Sequence, residues 1–254
     1  MQIRTPFFIV LFLACLNSSA QYSEWKEFGL KGPVQSVTSC FYSENYFSET
    51  PLAIPDSLAW THKTVRFFNT LGMVEWYFST HSFTDKDSIK TFNTTYVSYA
   101  FDSTQTKVGG AAHSKKVREE KVIGTSSENY SYQWLNPLRY IETVYDSSNT
   151  KLISTFEYVL DSDFFIISEH HKYYWGSTAV PQLYQIGYTK NSNGQIESCE
   201  EWINDGEIKS TKIYDYRTMD QYGNPTSFVV EVKTEINTYR FLVIKSYTYF
   251  SESE

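Results

Sequence analysis

After its first twenty residues the chain lacks any long hydrophobic run. A helix that crosses a bilayer needs about 20 apolar residues, so none is expected there. Basic charge is also short. Lys and Arg number 22 against 29 Asp and Glu, which leaves a formal net charge of −7 over 254 residues. Such a chain repels phosphate backbones and anionic headgroups, which disfavours nucleic acid and acidic membrane surfaces as partners. Cysteine is scarce, at three residues, too few for a disulfide-scaffold composition. The five histidines (His62, His81, His113, His170 and His171) show no zinc-ligand spacing. There is no Gly-x-Ser-x-Gly elbow, no phosphate-cradling glycine loop and no dinucleotide fingerprint. No cofactor, metal or catalytic residue is therefore assigned, and a non-enzymatic role is expected.

Residues 1–20 read as a secretory signal peptide. Arg4 is followed by an apolar core from Pro6 to Leu13 and by the small polar end Asn17-Ser18-Ser19-Ala20. Cleavage is expected between Ala20 and Gln21. Phe12-Leu13-Ala14-Cys15 also fits a lipoprotein box, with Cys15 as the alternative, lipid-anchored start. Either route takes the chain out of the cytoplasm, to the periplasm, the cell surface or the medium. In such a compartment a disulfide between Cys40 and Cys199 is permitted, with two separate thiols as the alternative.

What the chain has is aromatic side chains: 21 Tyr, 18 Phe and 6 Trp. With many Thr and Val they favour half-buried pleated surfaces. The tyrosine excess is expected on exposed sheet faces, where the ring covers apolar area and the hydroxyl stays wet. Alternation of period two runs through Tyr130–Trp134, Arg139–Tyr145, Lys151–Leu160, Gln182–Lys190 and Phe228–Val243. Turn signals separate these runs: Leu71-Gly72, Asn136-Pro137, Asp146-Ser147-Ser148-Asn149, Asp161-Ser162-Asp163, Asn193-Gly194 and Asn204-Asp205-Gly206. The expectation is an all-β chain: an antiparallel meander of a dozen or more strands, as a curved sheet or rolled into a barrel, without significant helix after residue 20. Residues 21–254 are expected to form one β-repeat domain. Asp102 to Lys116, rich in small and polar residues around Gly109-Gly110, reads as an exposed loop or a linker.

A loose pattern recurs: an aromatic-rich run, a polar turn with Gly or Asn, then a second alternating run. It is seen at Phe67–Trp76, at Tyr188–Ile196 and at Tyr214-Asp215-Tyr216 leading to Gly223-Asn224-Pro225. These units, and the opening Gly29–Val37, resemble YD-repeat (RHS-like) and MORN-like β-hairpin repeats of exported bacterial proteins. The resemblance covers about half of the mature chain, and Tyr145-Asp146 departs from it because no Gly follows. It implies a β-hairpin fold and names no activity.

Three functions follow as expectations. The first is an exported β-repeat scaffold that binds a protein or a cell-envelope component. The second is a carbohydrate-binding module in which Trp76, Trp134, Trp175 and Trp202 form a stacking platform, although core filling accounts for these rings better. The third is a hydrolase with a dispersed acidic site. The adjacent pairs Glu119-Glu120 and Glu200-Glu201, like His170-His171, would point to opposite faces of a strand and make no local site.

Overall fold

The computed structural model describes residues 23–43, 60–84, 90–174, 181–203 and 207–251. The leader with Cys15, the Pro-bearing connection over 45–59, Trp175 and the turn at 204–206 lie outside the described residues. The described chain is all-β apart from one helical turn, α1 (Glu24–Glu27). The strands are β1 (Val34–Ser43), β2 (His62–Phe68), β3 (Val74–Thr84), β4 (Lys90–Phe101), β5 (Lys107–Arg118), β6 (Lys121–Asn136) and β7 (Arg139–Asp146). They continue with β8 (Leu152–Leu160), β9 (Ile166–Tyr173), β10 (Gln182–Lys190), β11 (Ile196–Ile203), β12 (Glu207–Met219), β13 (Pro225–Thr234) and β14 (Thr238–Tyr249).

Each strand pairs antiparallel with its sequence neighbours, and β14 returns to pair with β1, so the meander closes into a barrel of fourteen strands. The expected meander is present, and closure removes both sheet edges. The seam runs from Val34↔Tyr249 to Ser43↔Phe241.

One five-residue turn recurs along the chain and explains the repeated pattern in physical terms. At Asn69, Asp102, Asp161, Asn191 and Asp220 the side-chain oxygen accepts the backbone N–H groups two and four residues on. The fourth residue takes a positive φ: Gly72 (80°), Gln105 (61°), Phe164 (65°), Gly194 (76°) and Gly223 (82°). The Asx side chain replaces backbone acceptors that a tight turn lacks, and the left-handed residue turns the chain. All five turns lie at the same end of the barrel, because even-numbered strands run into them.

Asp102 to Lys116 differs from the expected loop. Only Asp102–Thr106 is a turn, and Lys107–Arg118 is β5, paired on both sides. The small residues there are packing devices. A Cβ on Gly110 would come within 2.6 Å of the Ser98 carbonyl oxygen and 3.1 Å of the Tyr99 ring. Glu119-Glu120 forms the β5–β6 turn, with φ of 48° and 63°, rather than lying within a strand.

The lead-in before β1 folds onto the turn-bearing end. Trp25 N–H donates to the Gly72 carbonyl (3.2 Å), and its indole N–H donates to the Val34 carbonyl (2.9 Å). Trp25 and Leu30 pack on Val34, Val37, Phe68 and Val74. Asn224, fully buried, fixes the other side: its side-chain oxygen accepts Lys31 N–H, and its amide donates to the Lys31 carbonyl, both at 2.7 Å. α1 thereby sits across one mouth of the barrel.

Candidate functional site

Alternation along each strand sends one set of side chains inward and the next outward. The inward set bounds a chamber of about 420 Å³ beneath α1. Its wall carries Tyr77, Tyr99, Tyr132, Tyr140, Tyr158, Tyr188 and Tyr214. The tyrosine excess, expected on exposed sheet faces, is thus largely lumenal. The wide ring of fourteen strands leaves an interior that aliphatic side chains do not fill, and long phenols reach into it.

Charge in the chamber is divided by position. Glu24 and Glu27 enter from α1, Glu142 from β7 and Glu169 from β9. Glu24 forms an ion pair with Lys107 (2.6 Å) and accepts Val74 N–H (2.5 Å). Glu27 accepts the Tyr140 hydroxyl (2.9 Å), and Glu142 accepts that of Tyr132 (2.6 Å). Glu169 accepts the Tyr188 hydroxyl (2.6 Å) and contacts His171 Nε2 (2.6 Å). Burial pushes the Glu142 carboxyl above its ordinary pKa, against the hydrogen bond from Tyr132 and the nearby charge of Lys107. Burial also holds Tyr99, Tyr132 and Tyr158 well above the usual phenol range, with nearby carboxylates adding to the shift. They remain neutral hydrogen-bond donors.

The cations differ. Lys107 is paired and also lies 3.7 Å from the centroid of the Tyr99 ring. Arg66 (β2) and Lys245 (β14) face the chamber across β1. Arg66 lies over the Phe28 and Tyr77 rings at 5.0 and 5.7 Å, and Lys245 lies 5.2 Å from the Phe228 centroid. Burial, then the charge of Arg66, lowers the Lys245 pKa to about 8.

The outward face is polar at mid-strand on β8 to β11, whereas Val65, Phe78 and Tyr96 on β2 to β4 and Val229 and Leu242 on β13 and β14 also point outward. Glu157, His170, Gln185 and Glu200 sit one residue from the inward residues Tyr158, Glu169, Ile186 and Glu201. Hydroxyl pairs such as Thr189 with Ser198 (2.7 Å) link strands there. No helix of the described residues is long and apolar enough to cross a membrane. That leaves strand crossing open, and the outward residues bear on it directly.

Among the described residues, Trp76, Trp134 and Trp202 do not form one platform. Trp76 lies outward, stacked on Phe67 with centroids 3.7 Å apart. Trp134 lies inward against Tyr140 (4.8 Å). Trp202 lies outward over Gly187, where an added Cβ would meet the indole at 3.1 Å. Alternation and strand order put these three rings on different faces, so they do not stack as one set. Cys40, on β1, and buried Cys199, on β11, are both free; β14, β13 and β12 stand between their strands, so the permitted disulfide does not form. His171 turns inward to Glu169 while His170 faces out, as alternation requires.

The scaffold expectation is likewise corrected. Closure leaves no free sheet edge to present to a partner, and the buried charge is gathered inside. The chamber does bring acids together, as a dispersed acidic site would need. Each is already engaged by a Tyr hydroxyl, Lys107 or His171. Of the residues singled out in the sequence, His171 reaches this charged cluster, through Glu169, and the adjacent pairs Glu119-Glu120 and Glu200-Glu201 do not. The available signal was a strand with polar groups on both faces: on β6, Tyr130, Tyr132 and Trp134 alternate with Asn129, Ser131 and Gln133.

No protein-family profile matches the chain. No curated protein matches it either. Among solved structures it is similar to one described as a porin-like protein from Bacteroides uniformis ATCC 8492, at 13% identity and a TM-score of 0.42, over 86% of this chain and 98% of that one.

Proposed function

We propose that the chain is an exported β-barrel whose working compartment is its lumen, into which small polar solutes pass. The chamber of about 420 Å³, walled by tyrosine and lined with charge, carries this reading. Its size falls within the ~300–1,000 Å³ typical of small-molecule sites. Tyr hydroxyls, carboxylates and three cations offer donors and acceptors that an apolar core would not hold. Export rests on the leader-like residues 1–20. The recurring Asx turn supports reading the barrel as a degenerate series of β-hairpin repeats.

The test is chemical access. In a Cys40→Ala, Cys199→Ala background, Ile196→Cys places a thiol on the chamber wall and Thr143→Cys places one outside. A small methanethiosulfonate should modify both, and a 5-kDa polyethylene glycol maleimide only the outer one. An Ile196→Cys thiol refractory to the small reagent overturns the reading.

A second reading, a membrane-spanning pore, is favoured by the even strand number and the polar lumen. Lipid-facing charge opposes it. Lys or Arg at the midplane of such a barrel costs roughly 2–4 kcal/mol and acids somewhat less, and here Glu157 and Glu200 lie near mid-strand. Purified protein added to a planar bilayer separates the readings: stepwise conductance establishes the pore, and a silent bilayer with accessible Ile196→Cys leaves the lumenal barrel alone.

A further inference from the structure

The two charged groups of the chamber stand on opposite walls. Arg66 and Lys245 lie on β2 and β14, with β1 between them. Glu142 and Glu169 lie on β7 and β9, with β8 between them. Five strand steps separate β2 from β7, and five separate β9 from β14. The basic pair and the acidic pair therefore face one another across the barrel axis.

The two walls are satisfied unequally. Each acid already holds a Tyr hydroxyl, at 2.6 Å in both cases, and a carboxylate can accept more than one such bond. Among the described residues, Arg66 and Lys245 make no ion pair with a carboxylate and no hydrogen bond, only ring contacts. Two cations held close together in a half-buried wall, with no counter-charge, form an unfinished anion site. Guanidinium geometry suits a carboxylate, which it can bind through two parallel N–H bonds. The depressed Lys245 pKa is the reverse side of the same fact, since a bound anion would relieve it.

Resting on the lumenal reading above, we propose that the chamber selects a short zwitterionic peptide, its carboxylate on Arg66 and Lys245 and its ammonium between Glu142 and Glu169. The span fits. Fourteen strands about 4.8 Å apart and tilted by about 40° make a ring about 28 Å across, backbone to backbone. Side chains from both walls reduce this to a gap on the order of 15 Å. An extended peptide covers at most about 3.5 Å per residue, so three or four residues bridge the walls. The tyrosines between the walls give such a backbone hydroxyl partners and flat apolar faces.

Calorimetric titration of the mature protein with trialanine tests this, beside N-acetyl-trialanine and trialanine amide. These ligands change one charge each and leave the protein intact. Trialanine should bind, and each blocked peptide should bind at least about tenfold more weakly. Arg66→Gln with Lys245→Gln should bind trialanine and its amide equally while still discriminating against the acetylated form. Glu169→Gln should do the converse. A native-like thermal melt qualifies each variant. Equal binding of all three peptides, or none of trialanine, overturns the proposal. If Ile196→Cys is meanwhile labelled, the lumenal reading survives and only the zwitterion assignment falls. If that thiol is also refractory, both fall together.

Discussion

Replacing Lys107 with methionine should loosen the barrel at the end that α1 covers. Lys107 and Glu24 are both nearly out of water, with side chains 8% and 7% exposed. Met keeps most of the packing volume and removes the charge. Glu24 is then left with Val74 N–H, its bond at the other carboxylate oxygen. Breaking one side of a buried pair costs about 3–5 kcal/mol, chiefly because the remaining charge has no counterpart. Lost attraction between the ammonium and the Tyr99 ring adds to this. Glu24→Gln with Lys107→Met removes both charges and should recover much of the loss, giving a coupling of about 2–3 kcal/mol in a double-mutant cycle. Urea unfolding measures all four proteins. The difference in acrylamide quenching between each protein and its Trp25→Phe counterpart gives a local readout, because Trp25 rides on α1. A single-variant cost under about 1 kcal/mol, or a double variant no better than the single, would show that the pair is not holding the helix in place.

His62 stacks on His81 with ring centroids 3.8 Å apart. Burial, then the charges of His81 and Arg66, lowers its folded-state pKa to about 4 from 6.5. The unfolded chain therefore binds the extra proton first, so this contribution is whole above about pH 6.5 and is lost as pH falls toward 4. His62→Phe should flatten that limb of stability against pH by about 1 kcal/mol, discounted for the ring's partial exposure; an unchanged limb refutes it. Asn224→Ala strands both backbone groups of Lys31 and should cost about 2–4 kcal/mol in thermal or urea unfolding, with a cost below 1 kcal/mol counting against it. Gln105 is exposed at φ 61°, so Gln105→Gly should stabilise by about 0.5 kcal/mol, and a lower melting temperature would contradict the strain argument.

Local interactions made the strands and turns legible. Period two is written into Arg139–Tyr145 and Phe228–Val243, and Asn or Asp three residues before Gly marks the turns at Asn69, Asn191 and Asp220. The same device at Asp161 and Asp102 carries Phe164 and Gln105 at the left-handed position, where the glycine cue is missing. Closure was not legible, because it depends on how fourteen strands coil rather than on any one of them. The site was hidden for the same reason. Tyr132 and Glu142 share a face only once β6 and β7 are in register, and Arg66 faces Glu169 only across a closed ring. Alternation alone does not say which of two polar faces is the inside.

The seam between β1 and β14 has a consequence for how the molecule is made. Every other pairing joins neighbours in the chain, but this one brings Val34 to Tyr249. Tying ends some 200 residues apart costs about 5 kcal/mol of chain entropy before any contact returns it. The hairpins can zip in any order, whereas the last contact has to wait for all of them. Until then the sheet has two bare edges, each able to recruit a second copy. Refolding should therefore show a late phase set by this junction, and aggregation during that phase should rise with protein concentration. Ser36, whose hydroxyl meets that of Thr248 at 2.8 Å, lies on the zipper that ends it.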